Sequence, residues 1–224
     1  MRADMHNFPN IVVDNFLKDP YELVKFAESL EYQYPDDFRY PGLRSHDLNT
    51  IDSTLFQHLG DLILTCYGIR AHTFWQGTAH FQVIDNNYEQ GWIHSDPEVI
   101  TAILYLSKQP GSGTDLFVPK KFWNTFVDRN QFKTDYKKMF YKNLSENPNY
   151  RISELEMQEL QANREMFNKT MSVDSVFNRL FAFESFQFHA ATDLRFDADS
   201  PRLTLIYFFS TISIEGNSYP LNKL

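Results

Sequence analysis

The sequence predicts a mainly β protein with flanking helices, of the α+β class, built as a jelly roll (double-stranded β-helix). Short runs rich in β-branched and aromatic residues alternate with turns in two parts of the chain, residues 72–118 and 177–214. Two segments with apolar residues at helical spacing precede the first part. Short strands between turns favour a sandwich or barrel over alternating strand–helix units. We expect the helices to pack outside one sheet.

The predicted helices lie within about residues 19–67. Asp19 and Pro20 suit the N-cap and the first position of a helix, because the Asp side chain accepts a free backbone N–H and Pro has none to offer. Residues 50–67 carry a second apolar stripe at intervals of three and four, and Gly68 is a typical stop. The sequence therefore predicts two N-terminal helices.

A loop is predicted between these helices, at residues 31–49. This segment is rich in Pro, Asp, Tyr and Arg and has no clean period. Long loops in compact domains often carry function. Arg44 and His46 are its candidates for contact with a substrate, whereas a purely solvated loop is the alternative.

One domain is predicted for residues 1–224, with an insertion at about 119–176 between its strands. Lys, Asn, Glu and Gln dominate this insertion. Ser153 followed by Glu156 has the spacing of a capping box, which predicts a helix there. Strand patterns on both sides indicate that the insertion interrupts a single core of residues 72–118 and 177–214.

Charge and cysteine content narrow the possible partners. The net charge is −8 and the isoelectric point about 5.3. An acidic chain has no electrostatic footprint for nucleic acid or for an anionic membrane, so neither is expected as a partner. The single cysteine, Cys66, lies in an apolar run and is expected in the core. No secretory signal pattern is visible, and we expect a cytoplasmic location. The sequence leaves the oligomeric state open.

The pattern His-x-Asp at His94 and Asp96 stands just before an apolar strand at residues 101–106. Alternate residues of a strand point to the same side, so both side chains can reach one ion. Two histidines and one carboxylate form the facial triad of non-haem iron(II) enzymes, which leaves positions open for co-substrate and oxygen. His189, near the end of a later predicted strand, is the candidate third ligand.

An arginine follows at the start of the last apolar strand. Arg202 would be costly to bury there unless it meets an anion, and its planar fork suits a carboxylate. Thr204 lies two residues further on, hence on the same face, and can add a hydroxyl donor. Tyr105, on the strand after the His-x-Asp pattern, is a second candidate donor, with a core aromatic as the alternative.

The set His94-Ser95-Asp96, His189 and Arg202 resembles the iron(II)/2-oxoglutarate-dependent dioxygenases. The segment TAILYLS followed by PGSGTDLF is similar to the prolyl-hydroxylase branch, in which a strand after the HxD motif leads through a glycine turn to a short Phe-containing strand. The segments VDNFLKDPYEL and YPGLR are loosely similar to small bacterial and phage members. A Gly-Ser-Gly turn replaces the paired glycines usual in the family.

The resemblance implies a hydroxylase, an oxidoreductase that uses iron(II), 2-oxoglutarate and O2, with ascorbate as a candidate reductant. By resemblance, His94, Asp96 and His189 bind the metal. Arg202 holds the distal carboxylate of 2-oxoglutarate with help from Tyr105 and Thr204. Tyr88 stands where relatives place an active-site tyrosine.

Hydroxylation of a peptidyl, amino-acid or other small-molecule substrate, with release of succinate and CO2, is the function that this resemblance implies. The presence of an acid at the second ligand position favours hydroxylation over halogenation, in which a small residue stands there. The alternative is a non-catalytic, cupin-like jelly roll that binds a metal as a binding or structural module. A nucleic-acid demethylase of the same superfamily is disfavoured by the acidic balance. The primary substrate is not encoded in any recognisable pattern of the loop or the insertion.

Overall fold

The computed structural model describes the following parts of the chain: residues 8–34, 40–69, 73–84, 88–107, 113–120, 137–138, 141–143, 152–194 and 201–213, with the backbone alone at 88–90 and 193–194. Its helices are α1 (Pro20–Glu28), α2 (Leu48–Ile51), α3 (Ser53–Thr65) and α4 (Glu154–Glu165). Its strands are β1 (Ile11–Val13), β2 (Tyr32–Gln33), β3 (Leu43–Ser45), β4 (Trp75–Ile84), β5 (Tyr88–Gln90), β6 (Ile100–Tyr105), β7 (Thr114–Pro119), β8 (Phe167–Val173), β9 (Arg179–Glu184), β10 (Phe188–Leu194) and β11 (Arg202–Ile212).

The described strands form two antiparallel sheets. The larger has the order β1-β9-β6-β11-β4-β3-β2, and the smaller has the order β5-β10-β7-β8. Strand β11 is central in the large sheet, where it pairs with β4 on one side and β6 on the other. The mainly β class with flanking helices is therefore confirmed.

The two faces of the large sheet meet different partners. Alternate residues of β11, beginning with Leu203, belong to a core shared with α1 and α3. Within that core the Tyr207 hydroxyl donates a hydrogen bond to the Phe56 carbonyl at 2.9 Å. On the other face, Ile206 packs in a cluster with Leu116 and Val173 of the small sheet. The period of two along each strand thus separates a helix-covered core from the space between the sheets.

The N-terminal helices follow the predicted start and stop signals with one correction. The Asp19 side chain accepts the backbone N–H of Tyr21 at 3.1 Å, as expected of an N-cap. The single helix predicted over residues 50–67 is two helices, because Asp52 is extended and caps α3 through the N–H of Leu55 at 2.9 Å. Gly68, with a φ of +73°, follows the end of α3 in the left-handed region.

The loop and insertion boundaries also differ from the prediction. Strands β2 and β3 lie within the predicted loop of residues 31–49 and extend the large sheet past β4. The predicted insertion of residues 119–176 contains β8, which pairs with β7 in the small sheet. Most residues of β8 are polar and exposed, and only Phe167 and Val173 are buried, so the strand lacks the apolar alternation that predicts one. Strand β5, between β4 and the segment that carries His94, pairs with β10 in the small sheet.

Helix α4 begins as predicted, with the full capping box. The Ser153 hydroxyl accepts the N–H of Glu156, and the Glu156 carboxylate accepts the N–H of Ser153 at 2.9 Å. Among the described residues, no helix combines the length and the apolar character that a membrane crossing requires.

Candidate active site

The structure brings His94, Asp96 and His189 together between the sheets. One ligand atom from each of these side chains lies within 4.8 Å of the others. The Asp96 carboxylate is 3.3 Å from Nε2 of His189 and 3.9 Å from Nε2 of His94. Two imidazole nitrogens and one carboxylate oxygen at such separations can share one ion.

The two histidines meet through the backbone. His94 and His189 form an isolated antiparallel bridge, in which each N–H donates to the other's carbonyl, at 3.0 and 2.8 Å. Directly opposed residues of an antiparallel pair project to the same face, so the two imidazoles lie side by side with ring centroids 4.4 Å apart. The expectation that the His-x-Asp pair sits on a regular strand was wrong: after this bridge, the Asp96 N–H is held instead by the Ser185 carbonyl at 2.9 Å.

Each imidazole is oriented by a carbonyl two residues before it. Nδ1 of His94 lies 2.8 Å from the Trp92 oxygen, and Nδ1 of His189 lies 2.9 Å from the Gln187 oxygen. A carbonyl only accepts, so Nδ1 of each ring carries a proton, and Nε2, on the side of Asp96, is the atom that can bind a metal. Such outer partners fix the tautomer that binds a metal.

The charge states of the cluster also suit a cation. Burial, followed by the charge of Lys137, lowers the pKa of His94 to about 3, which keeps its imidazole neutral. Burial opposes ionisation of Asp96, but the neighbouring His94 and His189 outweigh it, so the pKa of Asp96 is lowered. The cluster therefore offers a neutral imidazole and a carboxylate at neutral pH.

Arg202 lines the same cavity as these three side chains. It is only 3% exposed, and its Nε has no hydrogen-bond partner among the described residues. Its guanidinium carbon lies 5.4 Å from the centre of the Tyr105 ring. Burial lowers the pKa of Arg202, partly offset by Tyr105. A buried cation is costly when the described residues give it no carboxylate, so this position favours the binding of an anion.

Thr204 and Tyr105 lie on neighbouring strands beside Arg202, at paired positions of β11 and β6. The Thr204 hydroxyl is fully buried and has no hydrogen-bond partner in the described part of the chain. The Tyr105 hydroxyl is instead bonded to the hydroxyl of Thr114 at 2.8 Å. Thr204 thus offers a free donor, whereas Tyr105 packs beneath Arg202 with its hydroxyl already engaged.

These observations test whether the residues fit a metal and 2-oxoglutarate. Two Nε2 lone pairs and a carboxylate match the donor set of non-haem iron(II). Nε of Arg202 and the hydroxyl of Thr204, which have no partner among the described residues, can donate hydrogen bonds to a carboxylate. The residues fit both groups. The side chain of Tyr88 lies outside the described residues.

Further lining residues come from the predicted loop and insertion. Tyr40 and Arg44 enter the cavity from the loop side, and Lys137 and Tyr141 from the insertion side. His46, the histidine singled out in the loop sequence, is exposed. Sequence patterns missed Tyr40, Lys137 and Tyr141, because nothing local distinguishes a residue that faces a cavity formed by distant strands.

Asn163 of α4 supports the segment that carries His94. Its side-chain oxygen accepts the N–H of Ile93 at 2.9 Å, and its amide donates to the Ile93 carbonyl at 3.2 Å. Asn163 is only 4% exposed. Arg164 adds a bond to the Gly91 carbonyl at 3.0 Å. Asn163 thus replaces a missing strand for the residue next to His94, and we assign it a positioning role.

Replacing Asn163 with leucine is expected to lower the free energy of unfolding by about 1–3 kcal/mol, since both backbone groups of Ile93 lose their partners. We expect the affinity for Co(II) to fall about 10-fold as well, because His94 loses its support. Urea unfolding and metal titration measure the two effects. Gln161→Ala is the matched control, since Gln161 is on the same helix and bonds only to the exposed Glu165. Unchanged metal affinity in a folded Asn163→Leu variant would contradict the positioning role.

Comparison with known proteins places this site in context. Residues 1–209 match the family model described as a family of unknown function, DUF6445. The chain belongs to the DUF6445 family. No curated protein sequence matches this DUF6445 chain.

Solved structures share the fold of the DUF6445 chain. HygX from Streptomyces hygroscopicus, with nickel and 2-oxoglutarate bound, is similar with a TM-score of 0.58 and 10% identity, over 95% of this chain and 92% of HygX. A 2OG-Fe(II) oxygenase family oxidoreductase from Burkholderia pseudomallei has a TM-score of 0.52 and 9% identity, over 90% and 84% of the chains. The non-haem α-ketoglutarate-dependent epimerase SnoN of nogalamycin biosynthesis has a TM-score of 0.52 and 10% identity, over 91% and 77%. At such identities the likeness concerns the fold, and at that level the predicted resemblance to iron(II)/2-oxoglutarate oxygenases is confirmed.

Proposed function

We propose that this chain is an iron(II)- and 2-oxoglutarate-dependent dioxygenase that hydroxylates a peptidyl, amino-acid or other small-molecule substrate and releases succinate and CO2. One observation carries the proposal: the His94, Asp96 and His189 cluster shares a cavity with Arg202, a buried cation whose Nε has no partner among the described residues. A metal-binding site formed by these three side chains explains neither the burial nor the position of Arg202.

The residues divide into two binding groups. His94, Asp96 and His189 hold iron(II) through Nε2 and carboxylate atoms, with the imidazoles oriented by the Trp92 and Gln187 carbonyls. Arg202 and the hydroxyl of Thr204 hold the distal carboxylate of 2-oxoglutarate, since both have unsatisfied buried donors.

Apolar side chains form part of the remaining cavity wall and exclude water from the site. Ile103, Ile206 and Phe208 are apolar and line the cavity, which strengthens the interaction of Arg202 with a carboxylate by excluding water. Iron(II), 2-oxoglutarate and O2, when bound, supply the oxidative decarboxylation to succinate and CO2 and the oxidation of a substrate C–H bond. The protein contributes three metal ligands, fixes the orientation of 2-oxoglutarate and excludes solvent.

The fold similarity supports the same class. HygX holds nickel and 2-oxoglutarate, and the Burkholderia protein belongs to the 2OG-Fe(II) oxygenase family. The two antiparallel sheets with the site between them suit the jelly roll predicted from the sequence. Hydroxylation as the specific outcome, ascorbate as reductant and a cytoplasmic location are parts of the proposal that rest on the sequence alone.

A non-catalytic metal-binding module of the cupin type is the alternative function. Such a module does not require a buried arginine and threonine beside the metal ligands. A 2-oxoglutarate enzyme requires both, because their donors bind the co-substrate. No feature of the described cavity favours the module specifically.

Succinate formation tests the proposal. The chelator-treated protein, reconstituted with iron(II) and supplied with 2-oxoglutarate, O2 and ascorbate, is expected to form succinate slowly even without a primary substrate. The same protein loaded with Zn(II), which has no redox chemistry, is the control and is expected to form none. If iron(II) supports no succinate formation and no metal increases the affinity for 2-oxoglutarate in calorimetry, the protein is not of this class.

A further inference from the structure

A second arginine, Arg44 of β3, faces the same cavity as the metal cluster and Arg202. Its guanidinium carbon lies 3.5 Å above the centre of the Tyr40 ring and 5.4 Å from that of Phe208. Its Nε is buried without a hydrogen-bond partner among the described residues. Asp96 and Glu98 are the carboxylates whose charges act on it, yet neither forms an ion pair with it in the described part of the chain.

The turn before Arg44 fixes this side chain in place. The Gln82 side chain donates to the Pro41 carbonyl at 2.7 Å, and Arg44 is paired with Gln82 across β3 and β4. Gly42 has a φ of +70°, and a Cβ added to it would lie 2.2 Å from the Val83 carbonyl oxygen. Only glycine permits this close approach, which brings Tyr40 under the guanidinium. Stacked on Tyr40, the guanidinium of Arg44 keeps its Nε donor without a partner among the described residues.

Arg44 has no task in the proposed binding of metal and co-substrate. The charges of iron(II) and Arg202 balance those of Asp96 and of 2-oxoglutarate as a dianion. Arg44 then remains, together with Lys137, as a positive charge that lines the cavity. Burial lowers the pKa of Arg44 to about 10, so it stays charged at neutral pH. A guanidinium stacked on an aromatic ring keeps its in-plane N–H donors free, and two of them match the two oxygens of a carboxylate.

We propose that Arg44 binds a carboxylate of the primary substrate, which makes the substrate a small anionic molecule. This inference rests on the proposed function, because it takes the metal and Arg202 as occupied by 2-oxoglutarate. It identifies Arg44 as a specificity-determining residue, with Tyr40 and Phe208 orienting its guanidinium. It also predicts that neutral analogues of the same size are poor ligands.

Direct binding to the full chain loaded with Zn(II) and 2-oxoglutarate tests this inference, since that complex cannot turn over. The probes are small 2-amino, 2-hydroxy and dicarboxylic acids, each paired with its amide, and saturation-transfer NMR detects the binders. We expect acids but not their amides to bind. Arg44→Gln is expected to weaken the bound acids about 10- to 100-fold, as loss of a charge-assisted bond implies, and Arg44→Lys to recover part of this affinity.

The outcomes separate this inference from the proposed function. Lys25→Met, which removes an exposed positive charge on α1, is the control and is expected to bind the acids like the wild type. Equal binding of acids and amides, no binding of any acid, or undiminished binding by a folded Arg44→Gln variant each overturns the inference. A loss of 2-oxoglutarate affinity in Arg44→Gln as large as its loss of acid affinity also overturns it, because Arg44 would then anchor the co-substrate. Failure of the proposed function shows elsewhere, as an absence of iron-dependent succinate in the wild type.

Discussion

Replacing Asp96 with alanine is expected to abolish iron-dependent succinate formation and to weaken metal binding by at least about 100-fold. Loss of an outer-sphere partner alone costs metal sites about 10- to 100-fold in affinity, and Asp96 is the one carboxylate that the described residues supply to the cluster. Its loss also leaves the cation with two imidazole ligands and no negative charge from the cluster. Titration with Co(II) and a succinate assay measure the two effects.

The stability of the same variant separates a ligand from a structural residue. A metal at 100 times its dissociation constant stabilises the wild-type fold by about 2.7 kcal/mol, and Asp96→Ala is expected to gain almost none of this. Ser95→Ala, between the two predicted ligands, is the matched control and should keep both metal affinity and turnover. If Asp96→Ala binds the metal as tightly as Ser95→Ala, the assignment of Asp96 as a ligand is wrong.

Replacing Arg202 with methionine is expected to weaken 2-oxoglutarate binding about 10- to 100-fold while metal affinity stays within about twofold. The size follows from one charged hydrogen-bonding partner, which contributes about 1.5–3 kcal/mol in a buried site. Metal binding persists because the metal ligands are His94, Asp96 and His189, and Arg202 carries no ligand atom itself. Calorimetry of 2-oxoglutarate binding to the Zn(II) and metal-free forms measures the loss.

The same substitution should not destabilise the ligand-free protein, in contrast to most core changes. Arg202 is 3% exposed and its Nε has no partner in the described residues, so methionine removes a buried charge that the empty site does not compensate. We expect a gain of about 1 kcal/mol in the free energy of unfolding. Leu203→Met, on the opposite face of the same strand, is the control. A marked loss of stability in Arg202→Met with unchanged 2-oxoglutarate affinity would make Arg202 a structural residue.

The candidate site could be predicted only in part. His94, Asp96 and Arg202 stand out in the sequence because ligand-type or charged residues border apolar strands, where burial makes them costly. From the sequence, Arg44 is only one of two candidates in the loop of residues 31–49. Its orientation toward the metal cluster depends on the turn at Gly42 and on pairing with β4, which are contacts between segments distant in sequence.

Short-range interactions account for the features that the sequence predicts correctly. These include the mainly β class, the Asp19 cap of α1 and the capping box of Ser153 and Glu156, because propensity and capping act within a few residues. The tertiary structure alone decided that His94 and His189 face each other across a backbone bridge and that Asn163 supports Ile93. It also decided that β8 belongs to the small sheet. Pairing between distant strands depends on which backbone groups find partners in the whole fold, and no local pattern records that choice.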